Sequence, residues 1–119
     1  MNDPHYLNIT ALEVDAGNAA EGTITAIDAS VTFGAFMNAS LELTTGAADT
    51  IVVRVYDGTS NSILLGEWSV VFLATNDKAV VSLDLPASFF NTLAVSFQAT
   101  GSGRKVTIRP TVQNIKYVT

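Results

Sequence analysis

The chain has 119 residues, a formal net charge of −5 and only 14% charged side chains, and it contains no cysteine. The absence of cysteine excludes disulfides, thiolate chemistry and zinc or iron–sulfur sites with cysteine ligands. This length suits a single domain with its own apolar core. An acidic chain without a basic excess is not typical of a nucleic-acid-binding protein.

The hydrophobic pattern predicts strands along the whole chain. Within residues 49–58, Ile51, Val53 and Val55 share one face and polar side chains interrupt the other, as in a half-buried strand. Residues 62–74 are apolar on both faces over part of their length, which indicates a central strand or an interface strand. The predicted strands are 6–14, 22–28, 30–45, 49–58, 62–74, 78–86, 92–101 and 105–118.

Proline and glycine mark the predicted breaks. Pro86 is expected to end one strand and Pro110 to interrupt the last one, because proline lacks the N–H that a ladder requires. "PASFFNTL", residues 86–93, can form at most one helical turn, and Gly34 is expected at a bulge or bend. Turn signals at short, regular spacing then predict an all-β fold, a single antiparallel jelly-roll-like β-sandwich of about eight strands.

The predicted organisation is a flexible N-terminal arm, residues 1–8, followed by the sandwich domain, residues 9–119. The opening "MNDPHYLNIT" has neither a basic region nor an apolar core, so no secretory signal is predicted. No apolar run reaches the length of a membrane-spanning helix, so we expect no membrane partner.

Basic side chains concentrate near the C-terminus. Residues 1–84 contain all 11 acidic side chains and two of the six basic ones, and the other four basic side chains follow residue 85. Three of them, Arg104, Lys105 and Arg109, lie in "GSGRKVTIRP", where Gly101–Gly103 are predicted to form a hairpin tip. Arg104 and Lys105 are adjacent in a strand and so point to opposite faces. An ordinary hairpin with charge matching inside the chain or between subunits, and a contact with an anionic partner, both remain open.

Other polar residues offer little catalytic chemistry. His5 is the only histidine, so neither a histidine-ligated metal nor a catalytic triad is predicted. The carboxylate pairs Glu13/Asp15 and Asp49/Asp57 could in principle perform acid–base chemistry, and "DAGNAAEG" lacks the dense oxygen spacing of a calcium loop. We therefore predict no cofactor, no metal and no enzymatic activity.

Tyr56 and Trp68 are the aromatic residues with a possible functional role. They lie on two consecutive predicted strands and could approach each other across the pair. Such rings seal a core or a subunit contact, or form a platform for a sugar. Both interpretations are kept, so these two residues join Arg104, Lys105 and Arg109 as candidate interface residues.

The run "ASLELTTGAADTIVVRVYDGTSNSILLGEW", residues 39–68, resembles a hairpin segment of virion proteins from tailed bacteriophages. The stretch "VSFQATGSGRKVTIRPTVQNIKYV", residues 95–118, is similar in character, with a Thr/Gly-rich hairpin and a closing strand. The resemblance implies an accessory structural protein that decorates and stabilises the capsid. It would bind the major capsid protein as a homotrimer, and its location would be the virion, assembled in the host cytoplasm.

A carbohydrate-binding β-sandwich module is the alternative function. The segment "TIRPTVQNIKYV", residues 107–118, loosely resembles the last strand of such modules. The single tryptophan and the absence of a predicted secretory signal weigh against this alternative.

Overall fold

A computed structural model describes residues 5–8, 11–27 and 34–114. The secondary structure of these residues consists of strands, with no helix among them. Four strands near the N-terminus are short, and six later strands are long. The strands are β1 (His5–Asn8), β2 (Leu12–Asp15), β3 (Gly17–Asn18), β4 (Thr25–Ala26), β5 (Gly34–Thr45), β6 (Asp49–Asp57), β7 (Ile63–Phe72), β8 (Lys78–Phe89), β9 (Leu93–Ala99) and β10 (Lys105–Asn114).

The strands form two sheets that pack face to face. The first sheet has the order β1-β10-β5-β8, and β2 also pairs with β10. The second has the order β3-β9-β6-β7, and β4 also pairs with β9. Their pairings are antiparallel except for the short parallel contact of β3 with β9. This architecture confirms the predicted all-β sandwich.

The core lies between the sheets and follows the predicted alternation. Ile51, Val53 and Val55 of β6 are fully buried, whereas the residues between them are partly exposed. Phe36 of β5 and Phe97 of β9 are also fully buried. Period-two burial therefore specifies which face of β6 points inward, whereas both faces of β9 are buried over residues 93–97.

Neither predicted proline break occurs. β8 continues through Pro86 because residues 83–86 bulge out of the ladder opposite Met37, so no ladder hydrogen bond is needed there. β10 continues through Pro110, which pairs with Ala39 of β5 on one side. On the other side β2 pairs with β10 before this point and β1 pairs with it afterwards, so Pro110 has no partner there. Both prolines thus lie where one side of the strand has no partner.

Three further predictions of local structure can be compared with the observed strands. Residues 86–89 extend β8 instead of forming a helical turn. Within residues 62–74, β7 (Ile63–Phe72) lies at the edge of its sheet, so the central-strand alternative was wrong and the interface-strand alternative stays a prediction. Gly34 begins the described part of β5, and the irregularity in that strand falls three residues later, at Met37.

The N-terminal segment lies along one side of the sandwich and pairs with one long strand of each sheet. Its strands β1 and β2 pair with β10, and β3 and β4 pair with β9. His5–Asn8 therefore pair with Thr111–Asn114. The assignment of residues 1–8 as an arm and residues 9–119 as the domain stays a prediction, and residues 1–4 lie outside the described part.

Candidate functional site: the basic connection and the open strand edges

The predicted hairpin at Gly101–Gly103 does not form, because residues 100–104 connect β9 of the second sheet to β10 of the first. Asp49 fastens this basic connection to the start of β6. The side chain of Asp49 is fully buried, and its Oδ2 lies 3.0 Å from Arg104 Nε. The Thr100 hydroxyl donates to Asp49 Oδ1 at 2.6 Å, and the Gly101 amide donates to Oδ2 at 3.0 Å. Burial alone would raise the pKa of Asp49, but these hydrogen bonds outweigh it and lower the pKa below its ordinary value. Arg104 thus has a structural partner inside the chain.

Lys105 and Arg109 differ from Arg104 in their surroundings. Lys105 Nζ lies 3.8 Å from Asp15 Oδ1, and both side chains are exposed, so this ion pair contributes little stability. Arg109 is exposed on the outer face of the first sheet and has no ion-pair partner among the described residues. Of the three basic residues predicted at an interface, Arg109 is therefore the most available to a partner.

A shallow groove of about 220 Å³ lies beside Arg109 on the outer face of the first sheet. Across the three strands of this face, Arg109 pairs with Ser40 and Ser40 with Val80. In the neighbouring row Thr107 pairs with Glu42, and Glu42 with Lys78. The groove therefore contains two cationic side chains and one carboxylate, and it borders the edge strand β8.

Tyr56 and Trp68 do not share a face. Trp68 pairs with the buried Val53, and its ring contacts the buried Phe36 with ring centroids 5.9 Å apart. Tyr56 lies on the outer face of the second sheet, where its hydroxyl donates to Glu21 Oε2 at 2.6 Å. Trp68 is partly buried and packs against the core, so the two rings do not form a shared sugar platform.

A polar network that the sequence analysis missed surrounds Arg54 on that outer face. Arg54 Nε donates to Glu67 Oε2 at 2.7 Å, and Arg54 Nη1 donates to Gln98 at 3.0 Å and lies 3.7 Å from Glu21 Oε2. The buried Ser96 hydroxyl donates to Glu21 at 2.5 Å. Hydrogen bonds from Ser96 and Tyr56, and then the charge of Arg54, lower the pKa of Glu21.

The outward position of Arg54 in the alternating pattern of β6 was the available sequence signal for this network. Its main partners come from distant parts of the chain, so their identity depended on the fold. The network anchors the segment before β4 onto β6 and β9, because Glu21 belongs to that segment.

The carboxylates weighed as catalytic pairs have separate structural contacts. Asp57 accepts hydrogen bonds from the Phe90 and Asn91 amides, at the opposite end of β6 from Asp49. Glu13 accepts a hydrogen bond from the Thr44 hydroxyl at 2.6 Å. In "DAGNAAEG", residues 15–22, the two carboxylates contact different groups, since Asp15 approaches Lys105 and Glu21 contacts Ser96. Among the described residues, no group of three or more His, Asp or Glu side chains could hold a metal ion.

Exposed large aliphatic side chains concentrate at one side of the sandwich. Two strands, β7 and β8, end their sheets there, with no strand beyond them in the described part of the chain. In that same part, every exposed large hydrophobic residue lies on β7 or β8 or next to one of them. They are Ile63, Leu64, Val71, Leu73, Val80, Leu85 and Phe90, with between 49% and 83% of their surface exposed.

The two open edges differ in chemistry. β7 carries one charged side chain, Glu67, which is already paired with Arg54. β8 carries Lys78 and Asp84, and its bulge at residues 83–86 contains a proline. Bulges, charges and proline are the devices by which edge strands avoid association. β7 also has an irregularity, at Leu65, but it contains no proline and its exposed aliphatic residues favour association. We call the exposed aliphatic residues of β7 and β8 and their flanks, without Phe90, the open-edge surface.

No described segment is a helix long and apolar enough to cross a membrane. Neither a scan against protein-family models nor a search of curated proteins finds a match to this chain. The functional proposal therefore rests on the geometry of the open-edge surface and on the phage-like segments of the sequence.

Proposed function

We propose that this protein is a non-enzymatic structural component of a virion, a capsid decoration protein that binds the major capsid lattice as a homo-oligomer. The observation that carries the proposal is the open-edge surface. Five exposed aliphatic side chains on two adjacent edge strands, and a sixth just after β7, resemble the core of an interface more than the surface of an isolated domain.

The energetic reason is the burial of these side chains. Leu85 is 83% exposed and Leu73 is 77% exposed, and burying one aliphatic side chain of this kind contributes about 2 kcal/mol to association. Several such contacts are needed to offset the rotational and translational entropy that association costs. The low charge of the surface, with 14% charged residues in the chain, leaves little repulsion between copies.

The proposed mechanism is adhesion coupled to assembly. A protein that binds the assembled lattice, and not free capsid subunits, stabilises the assembled state by mass action. No reacting group is required for this role. The alternative carbohydrate-binding function would have to do without a shared ring platform, because Trp68 packs against the core and the Tyr56 hydroxyl donates to Glu21.

The direct test is co-sedimentation of the purified chain with assembled capsids of the phage that encodes it, compared with unassembled major capsid protein. We expect binding to the capsids and none to the free subunits. The variant Leu85→Lys should reduce capsid binding or self-association, whereas Thr59→Lys, which adds the same charge in the exposed turn after β6, should leave both unchanged. Equal binding by all three proteins, or no binding at all, would contradict the proposal. A glycan array with a specific hit would instead favour the alternative function.

A further inference from the structure

We propose that residues 17–26, which we call the strap, open and close as one unit at the edge of β9 while the rest of the sandwich stays folded, and that the carboxylate of Glu21 holds them closed. The strap comprises β3, β4 and the turn between them. It covers the edge of β9 that faces away from β6. This inference is independent of the proposed capsid role, because it concerns contacts within one chain.

Backbone hydrogen bonds attach the strap to β9 over short stretches. β3 and β4 each have two residues, and β3 pairs with β9 in the parallel arrangement, which is slightly less stable per residue than the antiparallel one. Between β3 and β4, the Ala19 and Gly22 amides donate to β9 carbonyl oxygens at 2.8 and 3.0 Å. Ala19 has a φ of 57°, which lies in the left-handed region that residues other than glycine seldom adopt. The backbone therefore holds the strap less firmly than it holds a long strand.

Buried side chains fix the chain on either side of the strap but not within it. Val14 precedes the strap and Ile27 follows it, and both belong to the core, with 6% and 7% of their surface exposed. No side chain of residues 17–26 is buried. Because local opening is easiest where few apolar side chains are buried, the strap can lift between these two fixed ends while the core stays intact.

Glu21 ties the middle of the strap to the two strands beneath it. It is the only charged residue of the strap, and within the described part of the chain no other strap side chain hydrogen-bonds to a strand outside it. Its Oε2 accepts from the Tyr56 hydroxyl of β6 at 2.6 Å and from the buried Ser96 hydroxyl of β9 at 2.5 Å, and it lies 3.7 Å from Arg54 Nη1. Glu67 of β7 pairs with Nε of the same guanidinium. Two hydroxyls and one shared cation thus converge on one oxygen of the strap.

The contact of Glu21 with these groups depends on its ionisation. Hydrogen bonds from Ser96 and Tyr56, and then the charge of Arg54, stabilise the ionised form and lower the pKa of Glu21 below its ordinary value of 4.5. The carboxylate therefore holds the strap fully above pH 4.5 and loses its hold as the pH falls through the lower pKa of the closed state. Opening frees the β9 carbonyl groups that accept from the strap, so this edge becomes available to a strand of another molecule.

Amide hydrogen exchange followed by NMR tests the strap in the full chain. At pH 7 we expect the Ala19 and Gly22 amides to share one opening equilibrium and to exchange faster than amides of the central strand β6. Low concentrations of urea should hardly change exchange at Ala19 and Gly22, because local opening exposes little surface, but should accelerate exchange in β6. Glu21→Gln should speed exchange at both strap amides by about fivefold, the equivalent of about 1 kcal/mol.

Glu67→Gln is the matched control, because it removes from Arg54 a carboxylate that belongs to β7 and not to the strap. It should not speed exchange of the strap amides. Tyr56→Phe removes one donor and leaves the carboxylate, so it should speed exchange by a smaller factor, and it replaces Glu21→Gln if that variant misfolds. Between pH 7 and pH 3.5, the ratio of strap exchange in Glu21→Gln to that in the unmodified chain should fall towards one. Asp49 titrates alike in both proteins and cancels from this ratio.

Four results would overturn the proposal. Strap amides that respond to urea as β6 amides do would show that they exchange only by global unfolding. Equal acceleration by Glu21→Gln and Glu67→Gln, or no acceleration by Glu21→Gln and Tyr56→Phe, would show that Glu21 does not hold the strap. A ratio that stays constant with pH would show that the ionised carboxylate is not the group responsible.

Discussion

On one side of the sandwich, β10 and β9 are paired with the short N-terminal strands β1–β4, whereas on the other side β7 and β8 have no further strand in the described part of the chain. The closed side is held by backbone hydrogen bonds from Ala16, Ala19 and Gly22 to residues 104, 99 and 97. The open side instead carries the exposed aliphatic residues. A sandwich has two sides where strand edges are exposed, and the described residues of this chain cover only one of them.

This difference separates stability from association. Substitutions that loosen the closed side should lower the free energy of unfolding, because they break contacts within the chain. Substitutions on the open-edge surface should leave unfolding nearly unchanged and alter only self-association or capsid binding. Three substitutions on the closed side should therefore lower the free energy of unfolding, and matched substitutions at exposed positions on the open side should not.

Asp49→Ala should have the largest effect on stability. It removes the buried carboxylate that contacts Arg104 and accepts hydrogen bonds from Thr100 and Gly101. Arg104 is then left with its side chain only 18% exposed and without a counter-charge. We expect a loss of about 3 kcal/mol in the free energy of unfolding, measured with urea. Asp84→Ala on the exposed part of β8 is the control, and an equal loss in both variants would contradict the role of Asp49.

Gly17→Ala, on the closed side, should lower the free energy of unfolding by an intermediate amount. A Cβ at this position would meet the carbonyl oxygen of Ala20 and would lie 2.6 Å from the amide nitrogen of Gly22. Because these are backbone atoms, the segment must move to accommodate the methyl group. We expect a loss of about 2 kcal/mol and faster hydrogen exchange at the Ala19 and Gly22 amides. Ser69→Ala on β7 should change neither the free energy of unfolding nor the exchange of these amides. Unchanged exchange in Gly17→Ala would contradict the close approach of Gly17 to the backbone of residues 20–22.

Substitution of Glu21 should lower the free energy of unfolding by a smaller amount, which depends on pH. Its pKa lies below the ordinary value of 4.5, mainly because Ser96 and Tyr56 donate hydrogen bonds to the ionised carboxylate. Its contribution to stability is therefore complete above pH 4.5 and is lost as the pH falls through the lower pKa of the folded state. Glu21→Gln should lower the free energy of unfolding by on the order of 1 kcal/mol at neutral pH. The difference in this free energy between the variant and the unmodified chain should become smaller in acid.

The measurement for this third prediction is the urea midpoint of both proteins between pH 7 and pH 3. Asp49 also has a lowered pKa and adds an acid-dependent loss of the same sign in both proteins, so the difference between them isolates Glu21. Asp84→Asn serves as the exposed control. A difference that stays constant across this pH range would show that Glu21 acts through packing and not through its charge.

Much of the fold was predictable because the determining signals are local. The alternation of Ile51, Val53 and Val55 predicted a strand and its buried face. The alternation from Leu93 to Phe97 predicted a strand too, but there Ala94 and Ser96 on the other face are also buried. The Gly-rich turn before Arg104 was visible between two apolar runs, but the predicted hairpin was wrong, because the strands on either side of this turn belong to different sheets. Proline misled the prediction, because whether Pro86 and Pro110 interrupt a strand depends on the partner at that position and not on the strand itself.

The candidate site was predictable only in part. The sequence identified Arg104, Lys105 and Arg109 as one basic cluster, but the fold gave them different environments: Arg104 lies against Asp49, Lys105 near Asp15, and Arg109 on an open sheet face. The apolar run of β7 was recognised as unusual, yet the same pattern fits a central strand and an edge strand at an interface.

The sequence by itself determined the all-β class, the faces of the long strands and the acidic, weakly charged surface, because side-chain alternation and composition are properties of the chain alone. The tertiary structure decided which strands lie at the edges, which carboxylate meets each basic residue, and where the exposed aliphatic side chains gather. These depend on pairing between residues far apart in the chain. Hydrogen bonding between strands is nearly independent of side-chain identity, so local pattern cannot specify the order of strands in a sheet.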